Sequence, residues 1–169
     1  MEYKYISECR LCKNTELKDI INFNNVPLGN DYQIKKKSAI KSIKFPLKVK
    51  QCNKCKHFQL SISVNPKILY QTNYTYLSGI GETFINHFRS YYEWIIKKTK
   101  LKNGSLVVDI GSNDGTCLSN FKKKFKVCGV DPAKIPVQVA NKNKIHTILS
   151  DFNENALEKI LKKYGKADL

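Results

Sequence analysis

The sequence predicts an α/β protein in two parts, a small β-rich metal-binding unit followed by a parallel α/β sheet. Three observations carry this. Two C-x-x-C pairs, Cys9/Cys12 and Cys52/Cys55, bracket the first part. From Gly104 onward, apolar strand-like runs alternate with helix-like segments, the pattern of parallel strands joined by crossover helices. A glycine-rich turn, VVDIGSNDGT over residues 107–116, interrupts that pattern after its first strand.

Residues 1–68 combine the cysteines with turn signals (NNVPLGN) and short alternating runs such as FPLKVKQC and HFQLSISV. Period-two alternation between turn residues reads as short strands. Residues 69–100 read as a loop, NYTYLSGIG, and a linking helix. Phe84, Phe88, Tyr91/Tyr92 and Ile95 recur there at helical spacing, a stripe that core packing accounts for. Residues 101–169 carry three strands, SLVVDI, KVCGVD and IHTILSD. The segments between and after them, GTCLSNFKKKF, PAKIPVQVANKNK and NENALEKILKKYG, read as helices. Right-handed crossovers place the strands in the order 3-2-1 with helices on both faces. A fourth strand begins at Lys166–Leu169.

The two C-x-x-C pairs supply four thiolates, enough to close a tetrahedral zinc site with no position left for water. Such a site is structural. A unit of this size buries little apolar surface, so a metal staple has a clear purpose. The alternative of a redox pair is disfavoured, because neither C-x-x-C opens a helix of a thioredoxin-like unit. His57 stands two residues after Cys55 and is read as packing beside a completed site. Cys117 and Cys128 read as buried thiols.

In the glycine-rich turn, Gly111 and Gly115 permit positive φ and close backbone approach. The turn is neither a P-loop nor the dinucleotide fingerprint, because Asn113 stands where the second glycine of G-x-G-x-x-G belongs. Diphosphate is therefore disfavoured. Asp109, Asp131 and Asp151 fall at the carboxyl ends of the three strands, where open α/β sheets bind ligands. Asp131, in GVDP, suits ribose hydroxyls. A nucleoside carrying an ammonium and no phosphate fits, and S-adenosylmethionine is such a ligand.

The formal net charge of +16 invites a nucleic-acid partner. Yet only Arg10 and Arg89 are arginine, the residue that makes bidentate contacts, and the lysines are scattered. They read as solvated surface, so nucleic acid is not expected as a partner. No apolar run approaches the ~18 residues of a membrane span, and the start lacks signal-peptide character. The expectation is a cytoplasmic protein with reduced thiols.

VVDIGSNDGT, GVDP and SDF resemble the cofactor motifs of class I S-adenosylmethionine-dependent methyltransferases. Taken with the C-x-x-C pairs, the PLGN turn, the C-x-x-C-x-x-x-QL run and the Y-x-Y-x-S loop, the chain resembles the sugar C-methyltransferases. These methylate nucleotide-linked keto-deoxysugars at carbon 3, and they join an N-terminal zinc-binding domain to a Rossmann-like core and a further domain. The resemblance implies that Asp109, Gly111, Asn113, Asp114 and Gly115 shape the methionine end of the pocket. It implies Asp131 for the ribose, and Asp151 with Phe152 for the adenine. It offers Tyr74, Tyr76 and Ser78 for the sugar pocket, against a reading of those tyrosines as interdomain packing. It assigns no catalytic residue among the histidines present, His57, His87 and His146. The expectation is the first half of a methyltransferase core, incomplete by itself, with a separate C-terminal fragment as a partner. The rivals are a zinc-ribbon module that binds nucleic acid and a non-catalytic subunit of a split enzyme.

Overall fold

A computed structural model describes residues 1–29, 31–71 and 74–169. Asn30 of the PLGN turn, and Thr72 and Asn73 before the tyrosine loop, lie outside the described residues. The chain divides into two compact units, Met1–Asn73 and Tyr74–Leu169.

The first unit holds β1 (Tyr3–Tyr5), β2 (Leu17–Pro27), α1 (Lys36–Ile40), β3 (Lys44–Cys52), β4 (Phe58–Leu60), β5 (Ile62–Val64) and α2 (Pro66–Tyr70). β2, β3 and β4 form an antiparallel sheet in that order, and β1 pairs antiparallel with β5. The β2–β3 register slips between Asp19 and Ile21 and again between Asn22 and Asn25. The second slip has a local cause. Asn24 takes φ 59°, and its N–H donates to Asn22 Oδ1 at 2.9 Å, so the side chain replaces a ladder bond. α2 starts where Asn65 accepts from the Lys67 N–H at 3.0 Å, just ahead of a proline in the first turn. Among the described residues the buried apolar positions here are Cys9, Phe45, Cys52 and Ile62. Two of those four are candidate metal ligands, so the core of this unit is largely its metal site.

The second unit opens with a 3₁₀ turn (Ser78–Ile80) and α3 (Glu82–Lys98). Then come β6 (Leu106–Ile110), α4 (Thr116–Ser119), β7 (Lys126–Asp131), α5 (Lys134–Lys142), β8 (Thr147–Leu149) and α6 (Glu154–Tyr164). The strands run parallel in the order β6-β7-β8, the predicted 3-2-1 arrangement. Alternation along β6 sends neighbours to opposite faces. Val107 packs with Ile95, Leu118, Phe121, Phe125, Ala140 and Ile145, which places α3, α4 and α5 on one face. Leu106 packs with Cys128, Val130, Ala156 and Ile160, which places α6 on the other.

The helix expected over 115–125 is shorter than its sequence pattern, with α4 ending at Ser119. Asn120 Nδ2 donates to the carbonyls of Thr116 and Cys117, both at 3.2 Å, and takes acceptors the helix would use. Turns then carry Phe121 and Phe125 into the core. Lys166–Leu169, where a fourth strand is expected to begin, makes a single bridge to β6 rather than a strand. The Leu169 N–H donates to the Leu106 carbonyl at 3.2 Å, and the Val108 N–H donates to the Leu169 carbonyl at 2.9 Å, a parallel bridge opposite Val107. Among the described residues no helix is long and apolar enough to cross a membrane.

Candidate functional site

Two knuckles with the same wiring build the metal centre. In each, the first cysteine's N–H reaches a carbonyl five residues on: Cys9 to Asn14 at 2.8 Å, Cys52 to His57 at 2.9 Å. In each, its carbonyl accepts from the residue after the second cysteine, Lys13 or Lys56, both at 3.0 Å. Lys13 (φ 63°) and Lys56 (φ 64°) are left-handed, which folds the second thiol back beside the first. All four sulfurs lie within 4.8 Å of one another. The pairs Cys9–Cys55 and Cys12–Cys52 are 3.6 Å apart. Zn–S bonds of about 2.3 Å at tetrahedral angles put sulfurs about 3.8 Å apart. The donor set and its spacing fit zinc. The Cys52 thiol is lowered to about 6, chiefly by the Cys55 backbone N–H, with help from the Lys54 N–H. Cys55, despite the His57 N–H, is raised to about 12 by burial and by the Cys12, Cys9 and Cys52 thiols, so four thiols this close ionise as a group that a cation between them would favour. His57 gives its carbonyl to the knuckle and stands outside the ligand cluster.

In the second unit the turn after β6 is stitched to the end of β7. Gly111 (φ 78°) donates its N–H to the Val130 carbonyl at 2.8 Å. Asp131, 6% exposed, accepts the Asn113 N–H on Oδ2 and the Ala133 N–H on Oδ1, each at 2.8 Å. Its carboxylate clamps two turns together and keeps one lone pair on each oxygen for a further donor. Gly115 is left-handed at φ 77°, and an added Cβ would lie 2.9 Å from Ile145 Cδ1. The side chains of Asn113 and Asp114 turn away from this edge toward residues 76–79. Asp151 and Phe152 follow β8 and are exposed. The rings of Tyr74 and Tyr76 meet edge to face at 6.5 Å.

Asp109 opens into a cavity of about 300 Å³ lined by Ser78, His87, Phe88, Tyr91, Gly111, Ser112 and Cys117. Burial, and secondarily the charge of Asp131, pushes its carboxyl up to about 6. A bound cation would relieve both effects. Phe88 and Tyr91 read in sequence as part of a packing stripe, yet with His87 they line the cavity into which this acid opens. Their lining role depends on how α3 lies over the sheet, and helical spacing does not encode that. Ser112 lies in the same lining, and no pattern in the sequence marks it. Its Oγ is buried without a hydrogen-bond partner among the described residues. It also occupies the space where a Cβ on Gly129 would fall, which is why that strand position is glycine.

A family model described as "Putative zinc binding domain" matches residues 9–70, a span that holds all four cysteines. Over 165 residues, 97% of this chain, the sequence is 32% identical to the C-methyltransferase NovU of Streptomyces niveus. Nearly the whole of this chain is thus similar to part of a C-methyltransferase. The chain spans 39% of the length of NovU. The crystal structure of Streptomyces venezuelae DesVI aligns over 43% of this chain and 31% of its own, at 21% identity and a TM-score of 0.35.

Proposed function

We propose that this chain provides the zinc-binding domain and the cofactor-binding strands of an S-adenosylmethionine-dependent methyltransferase. Its acceptor is a carbon atom of a nucleotide-linked keto-deoxysugar, and it works in the cytoplasm, where its thiols stay reduced. The observation that carries the reading is Asp131. A buried carboxylate, held by two backbone amides at the carboxyl edge of a parallel sheet, suits a ribose diol. When bound, the cofactor supplies an electrophilic methyl group on a sulfonium. The roles of the chain's own residues follow from their positions. Asp131 offers its free lone pairs to the ribose hydroxyls. Asp109, in its aromatic-walled cavity, holds the cationic end. Gly111 and Gly115 let the turn backbone come close, and Asp151 with Phe152 borders the base. Tyr74, Tyr76 and Ser78 face the sugar. Methyl transfer to carbon also needs a base within hydrogen-bond reach of the proton alpha to the ketone, and we assign that role to none of these residues.

The test is calorimetric titration of S-adenosylmethionine into the purified chain, followed by labelled-methyl transfer to a panel of nucleotide-linked 4-keto-deoxysugars by the chain with and without a co-expressed C-terminal methyltransferase fragment. Saturable binding with one site per chain is expected. An Asp131→Asn chain that binds as tightly as wild type would remove Asp131 from the cofactor site.

A further inference from the structure

Asn113 and Asp114 each serve two neighbours. Through its backbone, Asn113 is tied to Asp131 at 2.8 Å. Through its side chain it holds the segment ahead of α3. Its Oδ1 accepts the Ser78 N–H at 2.9 Å, and its Nδ2 donates to the Tyr76 carbonyl at 3.1 Å. Asp114 continues the pattern. Its Oδ2 accepts the Gly79 N–H at 2.8 Å, while Oδ1 is fixed by the Thr116 hydroxyl at 2.6 Å and the Thr116 N–H at 3.1 Å. Both residues are at least nine-tenths buried, so these bonds do not compete with bulk water.

The residue types match this double duty. Position 113 takes φ 51°, a conformation that glycine adopts freely and that asparagine tolerates best among the others. Asparagine therefore keeps the turn and adds an amide that can accept from one backbone group and donate to another. At Gly79 a Cβ would stand 2.6 Å from Thr116 Oγ1 and 3.0 Å from Asp114 Oδ2. That spacing lets the loop backbone lie directly on the turn.

We infer that Asn113 and Asp114 are positioning residues that couple the cofactor turn to the Tyr74–Ser78 loop, so that cofactor binding sets the geometry of the sugar pocket. The inference rests on the proposed cofactor and sugar roles of the two segments. A ligand that engages Asp131 acts on the Asn113 N–H and hence on the side chains that fix residues 76–79. Such coupling is reciprocal: a ligand on the loop tightens the cofactor in the same proportion.

The experiment is amide hydrogen exchange by NMR on the 169-residue chain, with S-adenosylmethionine as the probe. The variants are Asn113→Gly, which keeps the backbone conformation and deletes the amide, and Asp114→Asn, which can still accept from Thr116 but not from Gly79 as well. Wild-type protein is expected to exchange Ser78 and Gly79 more slowly when cofactor is added. Asn113→Gly should exchange Ser78 about tenfold faster, and Asp114→Asn should do the same at Gly79, the factor carried by one hydrogen bond of about 1.4 kcal/mol. In both variants the cofactor-induced slowing at residues 78–79 should vanish, while Val130 and Cys128 keep their protection. Wild-type cofactor binding that leaves Ser78 and Gly79 unchanged overturns the coupling, with no variant needed. Unchanged exchange in both variants overturns the latch. If no cofactor binds, the proposed function fails and the coupling with it; that case is told apart by a variant exchange response that persists.

Discussion

Replacing Asp131 tests the cofactor edge and its construction together. The carboxylate accepts two backbone N–H groups at 2.8 Å and is 6% exposed. A hydrogen bond to a charged group contributes about 1.5–3 kcal/mol. Asp131→Ala deletes both and strands two buried donors, so its cost is about 4 kcal/mol. Asp131→Asn keeps one acceptor oxygen, and its NH₂ group faces the other donor, so about 2 kcal/mol is lost. A domain of this size holds about 5–15 kcal/mol, so both variants should still fold. Urea unfolding followed through Trp94, the chain's one tryptophan and a residue of α3, reports on the second unit. With a slope of about 2 kcal/mol per molar, the midpoint falls about 2 M for alanine and about 1 M for asparagine. Cofactor affinity is then compared at low urea, where each variant is native. Midpoints within about 0.3 M of wild type for both would refute the clamp, because the two amides would have found other partners. Lowered midpoints with unchanged affinity would keep the clamp and refute the ribose role.

Three further outcomes are expected. Purified protein should carry about one zinc per chain, and Cys52→Ser should lose it and loosen the first unit, since metal binding contributes folding free energy; full zinc content after loss of both Cys52 and Cys55 would defeat the assignment. Asp109, raised to about 6 by burial and by Asp131, is protonated more readily folded than unfolded. Stability of the second unit should therefore fall as pH rises from about 4 to about 6, whereas affinity for a cationic ligand should rise through pH 6; Asp109→Asn should flatten both profiles in urea melts and calorimetry. Gly115→Ala should cost about 2–3 kcal/mol in the same melts, combining a left-handed non-glycine residue with a Cβ 2.9 Å from buried Ile145; an unchanged midpoint would mean that Ile145 moves aside freely.

What the sequence made legible was periodic or spaced. The alternation of Leu106, Val107 and Val108, and the apolar stripe of Glu154–Tyr164, set the sheet and its two faces. The cysteine spacing singled out the four thiols that cluster within 4.8 Å of one another, because each C-x-x-C builds a knuckle that turns both its sulfurs to one side. The fate of Asn113 and Asp114 was hidden. Both belong to the glycine-rich motif, but the loop groups that their side chains hold lie 35 to 37 residues back, and no local pattern connects the two. The end of α4 was hidden for a different reason. GTCLSNFKKKF has helical spacing, but the Asn120 side chain competes for the carbonyls that helix growth requires. β2 shows little alternation because most of its residues are exposed, so burial never imposed a pattern on it.

The pairing of β1 with β5 has a mechanical consequence. Tyr3 lies opposite Val64 and Tyr5 opposite Ile62, so the first and last strands of the first unit are antiparallel neighbours. Tension applied between Met1 and Asn65 loads this ladder one rung at a time, starting at Tyr3 and Val64, like a zipper rather than a shear joint. Such a ladder peels at low force. The peel passes the Ile6–Ser61 bond at 2.8 Å and then meets Cys9, whose sulfur lies 3.6 Å from that of Cys55. With zinc in place, the metal–thiolate bonds stop the tear there. The outer strands thus act as a soft element in series with a stiff one, and a chelator converts the second into more of the first.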